Sequence, residues 1–548
     1  MKRFMESKGK KVFVVGGQAH NSSSYGASVD EACAAVRAVG GNTVEIPVYW
    51  ENIEPKEGQF YFGDVEQIYH KVRENGLYLI VLWFGTWKNG TCKYAPSWVK
   101  LDGRRFHRVV AENGAKIPVL SPHCRETMEA DGKAFQKLME RLAILDPEGD
   151  TILAVQAENE PGIMNGPARD YGSRATEAFT CPLPEKMLGM LVAFPDSQVA
   201  GCWEANGRKT QSWSEAFGRH AEEIFTAYAV AGYVNEVARR GRTCYQTTVY
   251  TNVWVDNHRL KIPGKDYPSG GAVSLVMDVW KYVADALDFI SPDNYQQTNQ
   301  GYMACCDCYS RNDNPLFIPE SGLLEWNSRF MFSAVADYRA IGICAFGIES
   351  ILNDGEIGAQ EQAVAESLQI LGALAPGLVR YHDKPMTAVM QEEYAQYQYL
   401  ELGHYVGIAY FTNCNSLVGR MGTDWNWHNY QHKDYLKRQK RGGCRGRGII
   451  IQSDENEFLI AGDGFQLNLL PADGETPVNY LAGSDFHLTR SLDFISIEEG
   501  VFNEDGEFEV HRRRNGDEAD FGIWVEPDVK VVRVRLCGWN EENRHEDI

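Results

Sequence analysis

The sequence lacks the segments that would place a protein in or across a membrane. It has no run of about 18 apolar residues, the length that a membrane-spanning helix needs. After the basic amino-terminal residues, the apolar stretch Val12–Val15 runs directly into Gly16, so it is too short for the apolar core of a signal peptide. We therefore expect a cytoplasmic protein without a membrane partner.

Motifs for common cofactors are also missing. The chain contains no phosphate-binding loop or dinucleotide-binding glycine pattern, so we expect neither a cofactor nor a metal. Its 13 cysteines are odd in number and irregularly spaced, which favours reduced thiols over a disulfide framework. Cys305, Cys306 and Cys308 lie close together in sequence. Two interpretations remain for them, a metal site or a loop of free thiols, and the second is favoured because no matched second pair is near.

Basic residues are fewer than acidic ones, with 54 Lys and Arg against 75 Asp and Glu. The formal net charge is −21, which disfavours nucleic acids and anionic membranes as partners because a polyanion would be repelled. The segment 433–447 is basic, but no clear aromatic platform is interleaved with its charges, so a solvated loop is favoured over a nucleic-acid site. A small neutral ligand fits this balance of charge, and assembly into a homo-oligomer is left open.

The pattern of apolar residues predicts a parallel β/α barrel. The chain of 548 residues is 44% hydrophobic and 11% aromatic, as expected for a folded protein of more than one domain. From Lys10 to about Pro376, short apolar runs alternate with longer amphipathic stretches, which is typical of repeated βα units. Eight strands are the number that closes a (β/α)8 barrel. The eight candidates are Lys11–Val15, Thr43–Val48, Leu77–Phe84, Ile152–Gln156, Tyr245–Tyr250, Asp288–Ser291, Leu316–Pro319 and Gly342–Phe346.

Six intervening helices are expected, the first of them capped by Ser28. Long insertions follow the third and fourth strands, at Gly85–Ala130 and Gly162–Trp213. In a barrel such loops rise over the carboxyl-terminal face and shape the substrate pocket. The expected helices are Val29–Val39, Gly63–Asn75, Asp131–Leu145, Ser214–Arg240, Gly271–Ala286 and Met331–Ala340.

Beyond Pro376 the pattern changes to short alternating or β-branched runs punctuated by Gly, Asn and Asp. This pattern predicts an all-β accessory domain, a sandwich or a jelly roll. We therefore divide the chain into a barrel at 1–378 and a β-rich domain at 379–548. The strand candidates are Tyr394–Tyr399, Tyr405–Phe411, Gly448–Ile451, Glu457–Ala461, Gly464–Leu470, Phe508–His511, Phe521–Val525 and Val529–Leu536.

Two carboxylates stand at strand ends. The run 151–156 leads into Ala157-Glu158-Asn159-Glu160, and the run 315–319 ends at Glu320. Barrel enzymes keep their chemistry at the carboxyl ends of the strands. Hydrolysis of a glycosidic bond with retention needs one protonated and one ionised carboxyl about 5 to 5.5 Å apart. We take Glu160 and Glu320 as that pair, with Glu158 as a supporting residue.

These residues resemble those of the clan of barrel glycoside hydrolases that includes β-galactosidases, cellulases and β-mannosidases. The segment 49–62 is similar to a motif that families 35 and 42 share after the second strand, and 82–90 with 95–99 resembles bacterial family 35 enzymes in particular. The resemblance implies a retaining exo-β-galactosidase that cleaves terminal β-linked galactose. It makes Glu160 the acid/base, Glu320 the nucleophile and Asn159 a partner of the sugar 2-hydroxyl. We expect repulsion from Glu320 to keep Glu160 protonated.

The resemblance also implies substrate-binding residues. Tyr295 corresponds to the tyrosine that hydrogen-bonds the nucleophile, and Tyr49 competes with Pro47 for the position of a family tyrosine after the second strand. Asn21 follows the first strand and is placed to reach sugar hydroxyls. Indole rings near the barrel mouth are natural platforms for a pyranose. The candidate platforms are Trp87, Trp98, Trp254 and Trp326.

One position departs from the family pattern. Thr86 precedes Trp87, where many family 35 galactosidases carry a glutamate that contacts galactose. A β-glucosidase, β-mannosidase or β-fucosidase of the same clan is therefore an alternative. An inverting enzyme would instead separate its carboxyls by about 6.5 to 9.5 Å. From another class, a non-catalytic carbohydrate-binding protein would be expected to lack one of the carboxylates, and both are present.

Overall fold

The computed structural model describes residues 4–256, 262–393, 395–411, 445–472, 494–514, 522–526 and 530–537. The expected strand ends at Tyr394, Phe521 and Val529 lie outside the described residues, as does segment 433–444, most of the basic segment.

Eight parallel strands form the barrel that the sequence predicts. Their residues are buried on both faces; all seven residues of the second strand, for example, are buried. Such continuous burial explains why these strands are near-continuous apolar runs. The strands are β1 (Val14–Gln18), β2 (Thr43–Tyr49), β3 (Tyr78–Lys88), β4 (Ile152–Asn159), β5 (Thr248–Trp254), β6 (Phe289–Asn294), β7 (Phe317–Ile318 and Glu320–Ser321) and β8 (Gly342–Phe346).

The barrel closes through the two halves of β7. Phe317–Ile318 pairs with β8, whereas Glu320–Ser321 pairs with β6, and β8 pairs in turn with β1. Pro319 lies between the two halves and has no N–H to donate, so it interrupts the strand without opening the ring. Closure places the carboxyl ends of all eight strands around one mouth.

Eight helices alternate with the strands. In the second of them, Val65, Ile68, Tyr69 and Val72 form a buried stripe at helical spacing. The helices are α1 (Gly26–Ala38), α2 (Gly63–Glu74), α3 (Arg125–Leu145), α4 (Ala221–Arg242), α5 (Met277–Val283), α6 (Asn299–Tyr309), α7 (Glu325–Ala336) and α8 (Gln362–Arg380).

Several sequence predictions about these elements were wrong in detail. The helix α1 begins at Gly26 after Tyr25, without a side-chain cap, so Ser28 lies inside its first turn. The first barrel strand begins at Val14, because Lys10–Val12 pairs with Met5–Ser7 in a separate hairpin.

Four further predicted helices differ by more than one residue at an end. The helix predicted at 131–145 begins earlier, at Arg125. The helix predicted at 214–240 is divided into two helices, Trp213–Phe217 and Ala221–Arg242. The helix predicted at 271–286 is shorter and spans only Met277–Val283. The predicted helix 331–340 begins earlier, at Glu325, and ends at Ala336. Each of these errors concerns a boundary, where the apolar pattern is weakest as a guide.

The cysteine cluster is helical. Cys305, Cys306 and Cys308 lie in α6, and the first two are buried. The loop interpretation was therefore wrong, and none of the three cysteines takes part in a disulfide. Within the described ranges, side chains close enough to share an ion occur at the barrel mouth and not at these cysteines.

The insertions carry short elements at the carboxyl end of the barrel. A two-stranded antiparallel ribbon, Arg108–Val110 with Lys116–Leu120, lies in the insertion after β3. A second ribbon, Leu352–Asn353 with Glu356–Ile357, follows β8. The short helices are Trp50–Ile53, Ser97–Leu101, Ser173–Thr180, Glu185–Ala193, Gln198–Ala205 and Trp213–Phe217, and single 3-10 turns are Gly218–His220, Ser274–Val276 and Ile348–Ile351.

The described residues after α8 form two antiparallel sheets. In spatial order, the six-stranded sheet contains Met386–Met390, Arg447–Asp454, Glu457–Asp463, Val531–Leu536, Phe494–Phe502 and Phe508–Arg513. The four-stranded sheet contains Tyr397–Leu402, Tyr405–Phe411, Phe465–Pro471 and Ile523–Val525. Apolar side chains from both sheets share one buried cluster, which includes Phe411, Phe458 and Val534.

Helix α8 joins the barrel to these sheets. It is long and apolar enough to cross a membrane by length and composition alone, but 67% of its most apolar window is buried inside the protein. The guanidinium of Arg447, which is fully buried, donates to Glu366 Oε2 at 2.9 Å and to Ser367 Oγ at 2.7 Å, both in α8. It also pairs with Asp463 at 3.3 Å. The buried Arg447 thus connects the six-stranded sheet with the last barrel helix, α8.

Replacing Arg447 with alanine is expected to lower the free energy of unfolding by about 3 to 5 kcal/mol, because it leaves Glu366 buried without its counter-ion. Urea unfolding followed by tryptophan fluorescence measures this loss. The matched control is Arg105→Ala, since Arg105 pairs with Glu57 at the surface, where such a pair is worth about 0 to 1 kcal/mol. Equal losses in the two variants would contradict the anchoring role of Arg447.

Candidate active site

Three carboxyl groups meet at the mouth of the barrel. Glu160 directly follows β4, Asp293 lies in β6 and Glu320 lies in β7. One oxygen of each lies within 4.8 Å of the others. All three side chains are buried, with residue exposures of 5% or less. The strand ends therefore bring together the two carboxylates expected from the sequence and a third that was not.

Glu320 is held by two hydrogen bonds, one to each carboxylate oxygen. Gln18 Nε2, at the end of β1, donates to Oε1 at 2.9 Å, and the hydroxyl of Tyr295 donates to Oε2 at 2.8 Å. Tyr295 thus contacts the residue to which the sequence assigned it. The two donors fix the orientation of the carboxylate and leave it acceptor-only, as suits an ionised group.

Glu160 is held from the β3 and β5 sides. Asn89 Nδ2 donates to Glu160 Oε2 at 2.5 Å. The backbone N–H of Glu160 donates to Asn252 Oδ1 at 2.9 Å. The residue has a φ of 45°, in the left-handed region that costs free energy for a side chain other than glycine. The neighbouring strands therefore hold Glu160 in a conformation that an isolated strand end would not keep.

The pKa of Glu160 is raised to about 7, mainly by burial. The ammonium group of Lys88 lowers it and is the next largest influence, followed by Glu320, which raises it. The sequence prediction gave repulsion from Glu320 as the main cause, and that assignment was wrong, since desolvation contributes more. Lys88 is itself buried, and its Nζ donates to Asn159 Oδ1 at 2.7 Å.

Asn159 stands beside this site with one atom unused. Its Oδ1 accepts from Lys88, while its Nδ2 is buried and has no hydrogen-bond partner among the described residues. A buried donor without a partner costs free energy. The amide thus has a donor available for a ligand oxygen.

Sequence reasoning missed Gln18, Lys88, Asn89, Asn252 and Asp293. Asp293 carried a usable signal, because it stands at a strand end two residues before Tyr295. The amides and the lysine carried none, since their roles depend on which strands are neighbours in the ring.

Glu158 serves a different part of the structure. Its φ of 63° breaks the alternation of the strand, and its carboxylate accepts from the backbone N–H of Trp87 at 2.7 Å. Burial and the nearby Asp131 raise its pKa well above the ordinary value. Glu158 therefore supports the carboxyl-terminal part of β3.

Thr86 is completely buried. Its hydroxyl lies 2.6 Å from that of Tyr233 in α4, and its backbone N–H donates to Asp131 Oδ2 at 3.2 Å. The side chain at this position is thus occupied by contacts between β3 and the helices behind it.

The four tryptophans differ in their surroundings. Trp87 has no exposed surface, and its ring packs on that of Tyr233 with centroids 4.6 Å apart, so in this conformation it offers no face to a sugar. Trp98 is half-buried and donates from Nε1 to the backbone oxygen of Glu54 at 2.9 Å. Trp254 ends β5 in register with Asp293, which places it beside the carboxyl cluster. Trp326 lies in the first turn of α7 and is partly buried.

Tyr49 and Asn21 contact each other. The hydroxyl of Tyr49 donates to the backbone oxygen of Asn21 at 2.7 Å and accepts from Ser24 Oγ at 2.8 Å. Tyr49 is buried against Tyr94, with ring centroids 4.7 Å apart. These contacts brace the loop after β1, and a substrate contact of Tyr49 or Asn21 stays a prediction.

Another buried carboxyl, Glu45, lies inside the barrel on β2. The hydroxyl of Tyr250 donates to its Oε2 at 3.0 Å. Burial raises its pKa to about 8, and Glu320 adds to the rise. Glu45 is therefore expected to be protonated at neutral pH.

Comparison with known proteins gives matches that each cover part of the chain. The family described as "Glycosyl hydrolases family 35" matches residues 4–102, and the family described as "Domain of unknown function (DUF5597)" matches residues 364–526. Beta-galactosidase 12 of Oryza sativa subsp. japonica is 26% identical over 176 residues, covering 31% of this chain and 18% of that protein. The chain resembles a clan A glycoside hydrolase of family 35.

Solved structures that match part of the chain include two β-galactosidases. That of Bacillus circulans sp. alkalophilus has 15% sequence identity and a TM-score of 0.47, covering 66% of this chain and 57% of that one. That of Halorubrum lacusprofundi has 14% identity and a TM-score of 0.46, covering 66% of this chain and 58% of that one. The chain thus spans less than a fifth of the plant relative and under two thirds of either solved structure.

The raised pKa of Glu45 predicts how stability depends on pH. Above about pH 4.5 the unfolded chain releases this proton while the folded protein keeps it up to about pH 8, so stability falls as pH rises through that window. The slope from this group is at most about 1.4 kcal/mol per pH unit. Glu45→Gln keeps the neutral side chain and removes the titration, so its unfolding midpoint should fall less between about pH 5 and pH 8.

Denaturant unfolding across this pH range, on wild type and variant, measures the difference. Glu74→Gln is the control, because Glu74 is exposed at the end of α2 and should leave the wild-type slope unchanged. A slope in Glu45→Gln as steep as that of wild type would show that Glu45 is ionised in the folded protein.

Proposed function

We propose that the protein is a retaining exo-β-glycosidase, most simply a β-galactosidase that removes terminal galactose from small neutral glycans. The observation that carries this proposal is the approach of Glu160 and Glu320, whose nearest oxygens lie within 4.8 Å. Retaining enzymes hold their carboxyls about 5 to 5.5 Å apart, whereas inverting enzymes need about 6.5 to 9.5 Å to admit a water molecule. The short separation supports double displacement.

In the proposed mechanism, Glu320 attacks the anomeric carbon while Glu160 gives its proton to the departing oxygen. A covalent glycosyl ester forms on Glu320, and Glu160 is left ionised. Glu160 then removes a proton from water, which attacks the same carbon and releases Glu320. The environments of the two groups suit these roles, because Glu160 has a pKa near 7 and Glu320 accepts two hydrogen bonds.

Galactose as the sugar is supported by the match to a family 35 segment and by the rice β-galactosidase. The hydroxyl of Thr86 is buried against that of Tyr233, so we propose that specificity comes from other residues. A panel of nitrophenyl β-glycosides tests the sugar, with the galactoside expected to be hydrolysed fastest. NMR of the first-formed anomer tests the stereochemistry, and a product of inverted configuration would exclude double displacement.

For the carboxy-terminal region we propose an all-β accessory domain of the sandwich type. The buried cluster shared by its two described sheets supports this. The boundary near residue 378, the cytoplasmic location and the number of copies in the assembly stay predictions.

Glu320→Gln is expected to abolish turnover of an aryl β-galactoside, because the amide cannot attack the anomeric carbon. Glu160→Gln should lower the rate about 10²- to 10⁴-fold for a substrate with a poor leaving group, because that departure needs the acid. It should lose less in the first step with an activated nitrophenol. Steady-state and burst-phase kinetics separate the two variants.

Glu51→Gln is the matched control, since Glu51 lies after β2 at the same end of the barrel and pairs with Lys100. It should keep wild-type activity. Wild-type turnover in Glu320→Gln would remove the assignment of the nucleophile.

The pH profile follows from the pKa of Glu160. The rate constant kcat/KM should fall above about pH 7 as the acid loses its proton. Lys88→Met removes the ammonium that lowers this pKa, so the alkaline limb should move to higher pH even if the maximum rate drops. Lys100→Met, which removes a partly exposed pair with Glu51 and a hydrogen bond to the backbone oxygen of Lys93, should leave the limb in place. An alkaline limb that moves to lower pH in Lys88→Met would contradict the prediction.

A further inference from the structure

Asp293 is the carboxyl that neither half of the proposed double displacement uses. It lies in β6, in register with Glu320 on β7 and with Trp254 on β5. Only 2% of the residue is exposed. One of its carboxyl oxygens therefore lies within 4.8 Å of an oxygen of Glu160 and of an oxygen of Glu320.

The hydrogen bonds of Asn252 determine which oxygen of Asp293 is an acceptor. The backbone N–H of Glu160 can only donate, so Asn252 must present its oxygen there, at 2.9 Å. Its amide nitrogen then faces Asp293 Oδ2, at 2.8 Å, and donates to it. Asp293 Oδ2 is thus an acceptor.

The other oxygen, Oδ1, has no hydrogen-bond donor among the described residues, although it is buried. A bare carboxylate oxygen in that position would have its charge neither solvated nor paired. A proton on Oδ1 removes the charge and turns the atom into a donor for a neighbouring carboxylate.

The charges around Asp293 agree with this. Three carboxyls within 4.8 Å of one another cannot all ionise. Glu320 has donors on both oxygens, and Glu160 has a donor in Asn89 and a nearby cation in Lys88. Burial, followed by Glu320 and Glu160, raises the pKa of Asp293 well above its ordinary value.

We propose that Asp293 keeps its proton throughout the reaction and donates a hydrogen bond from Oδ1 to Glu160. The effect of this hydrogen bond on catalysis rests on the proposed glycosidase function. The fixed donor stabilises the carboxylate that Glu160 becomes when it protonates the leaving oxygen, and orients it for the attack of water. Asp293 is thus a positioning residue, and its own proton is neither consumed nor transferred.

The isosteric replacement Asp293→Asn separates a neutral from an ionised Asp293. The asparagine oxygen can still accept from Asn252, and its amide nitrogen can donate to Glu160. If Asp293 is protonated, kcat should stay within about threefold of wild type and the alkaline limb should not move. If Asp293 is ionised, the variant removes a negative charge beside Glu160, and the limb should move to lower pH.

Asp293→Leu removes the donor at similar volume. It should lower kcat about 10²-fold for an activated aryl galactoside, where deglycosylation limits the rate, and move the alkaline limb to higher pH. If this variant does not fold, the comparison of wild type with Asp293→Asn still decides. A loss in Asp293→Asn as large as in Asp293→Leu would overturn the proposal.

A measurement without substrate keeps this proposal apart from the proposed function. Infrared difference spectra of wild type against Asp293→Asn at neutral pH should show the carbonyl band of a protonated carboxyl, shifted in deuterium oxide. Absence of that band, or a rise in activity with added Mg²⁺ that EDTA reverses, would show an ionised Asp293. The described titratable groups that interact with Asp293, and so contribute to the pH profiles, are Lys88, Glu160, Tyr250, Tyr295, Tyr309 and Glu320.

Discussion

Closure of the strand ring through β7 is the constraint on which the rest of the structure depends. The strand pairs with β8 before Pro319 and with β6 after it, so one broken strand joins both sides of the ring. That closure sets Glu320 in register with Asp293 and faces it across the mouth toward Glu160. An open sheet would have left the ends of β4 and β7 on widely separated strands, and the carboxyls would not meet.

Closure also creates an electrostatic problem, because it buries several acids in one small volume. The structure answers it in different ways. Glu320 receives two donors, Glu160 has Asn89 and Lys88, and Glu45 has a pKa of about 8 that leaves it protonated. The same low dielectric that makes an unpaired charge costly also makes each of these hydrogen bonds strong. The raised pKa of Glu160 thus follows from its burial and from the charges and hydrogen bonds of its neighbours.

The sequence predicted most of the architecture and the two main carboxylates. Buried parallel strands are continuous apolar runs, so local pattern was enough to find all eight. It failed where the pattern was ambiguous. The helix α6 carries three cysteines and little periodic signal, and α1 begins without a side-chain cap. Trp87 was taken for a platform because residue type does not reveal which side of a strand end faces the mouth.

The sequence by itself determined the barrel, the strand-end positions of Glu160 and Glu320, and the likeness to family 35, because each of these resides in contiguous residues. Only the tertiary structure decided which groups surround those carboxylates. Asn252 meets Glu160 from 92 residues away, and Gln18 meets Glu320 from 302 residues away. Burial, which sets the protonation of Glu160, Glu45 and Asp293, likewise depends on the whole ring. Charge state is a property of surroundings, and the surroundings exist only once the ring has closed.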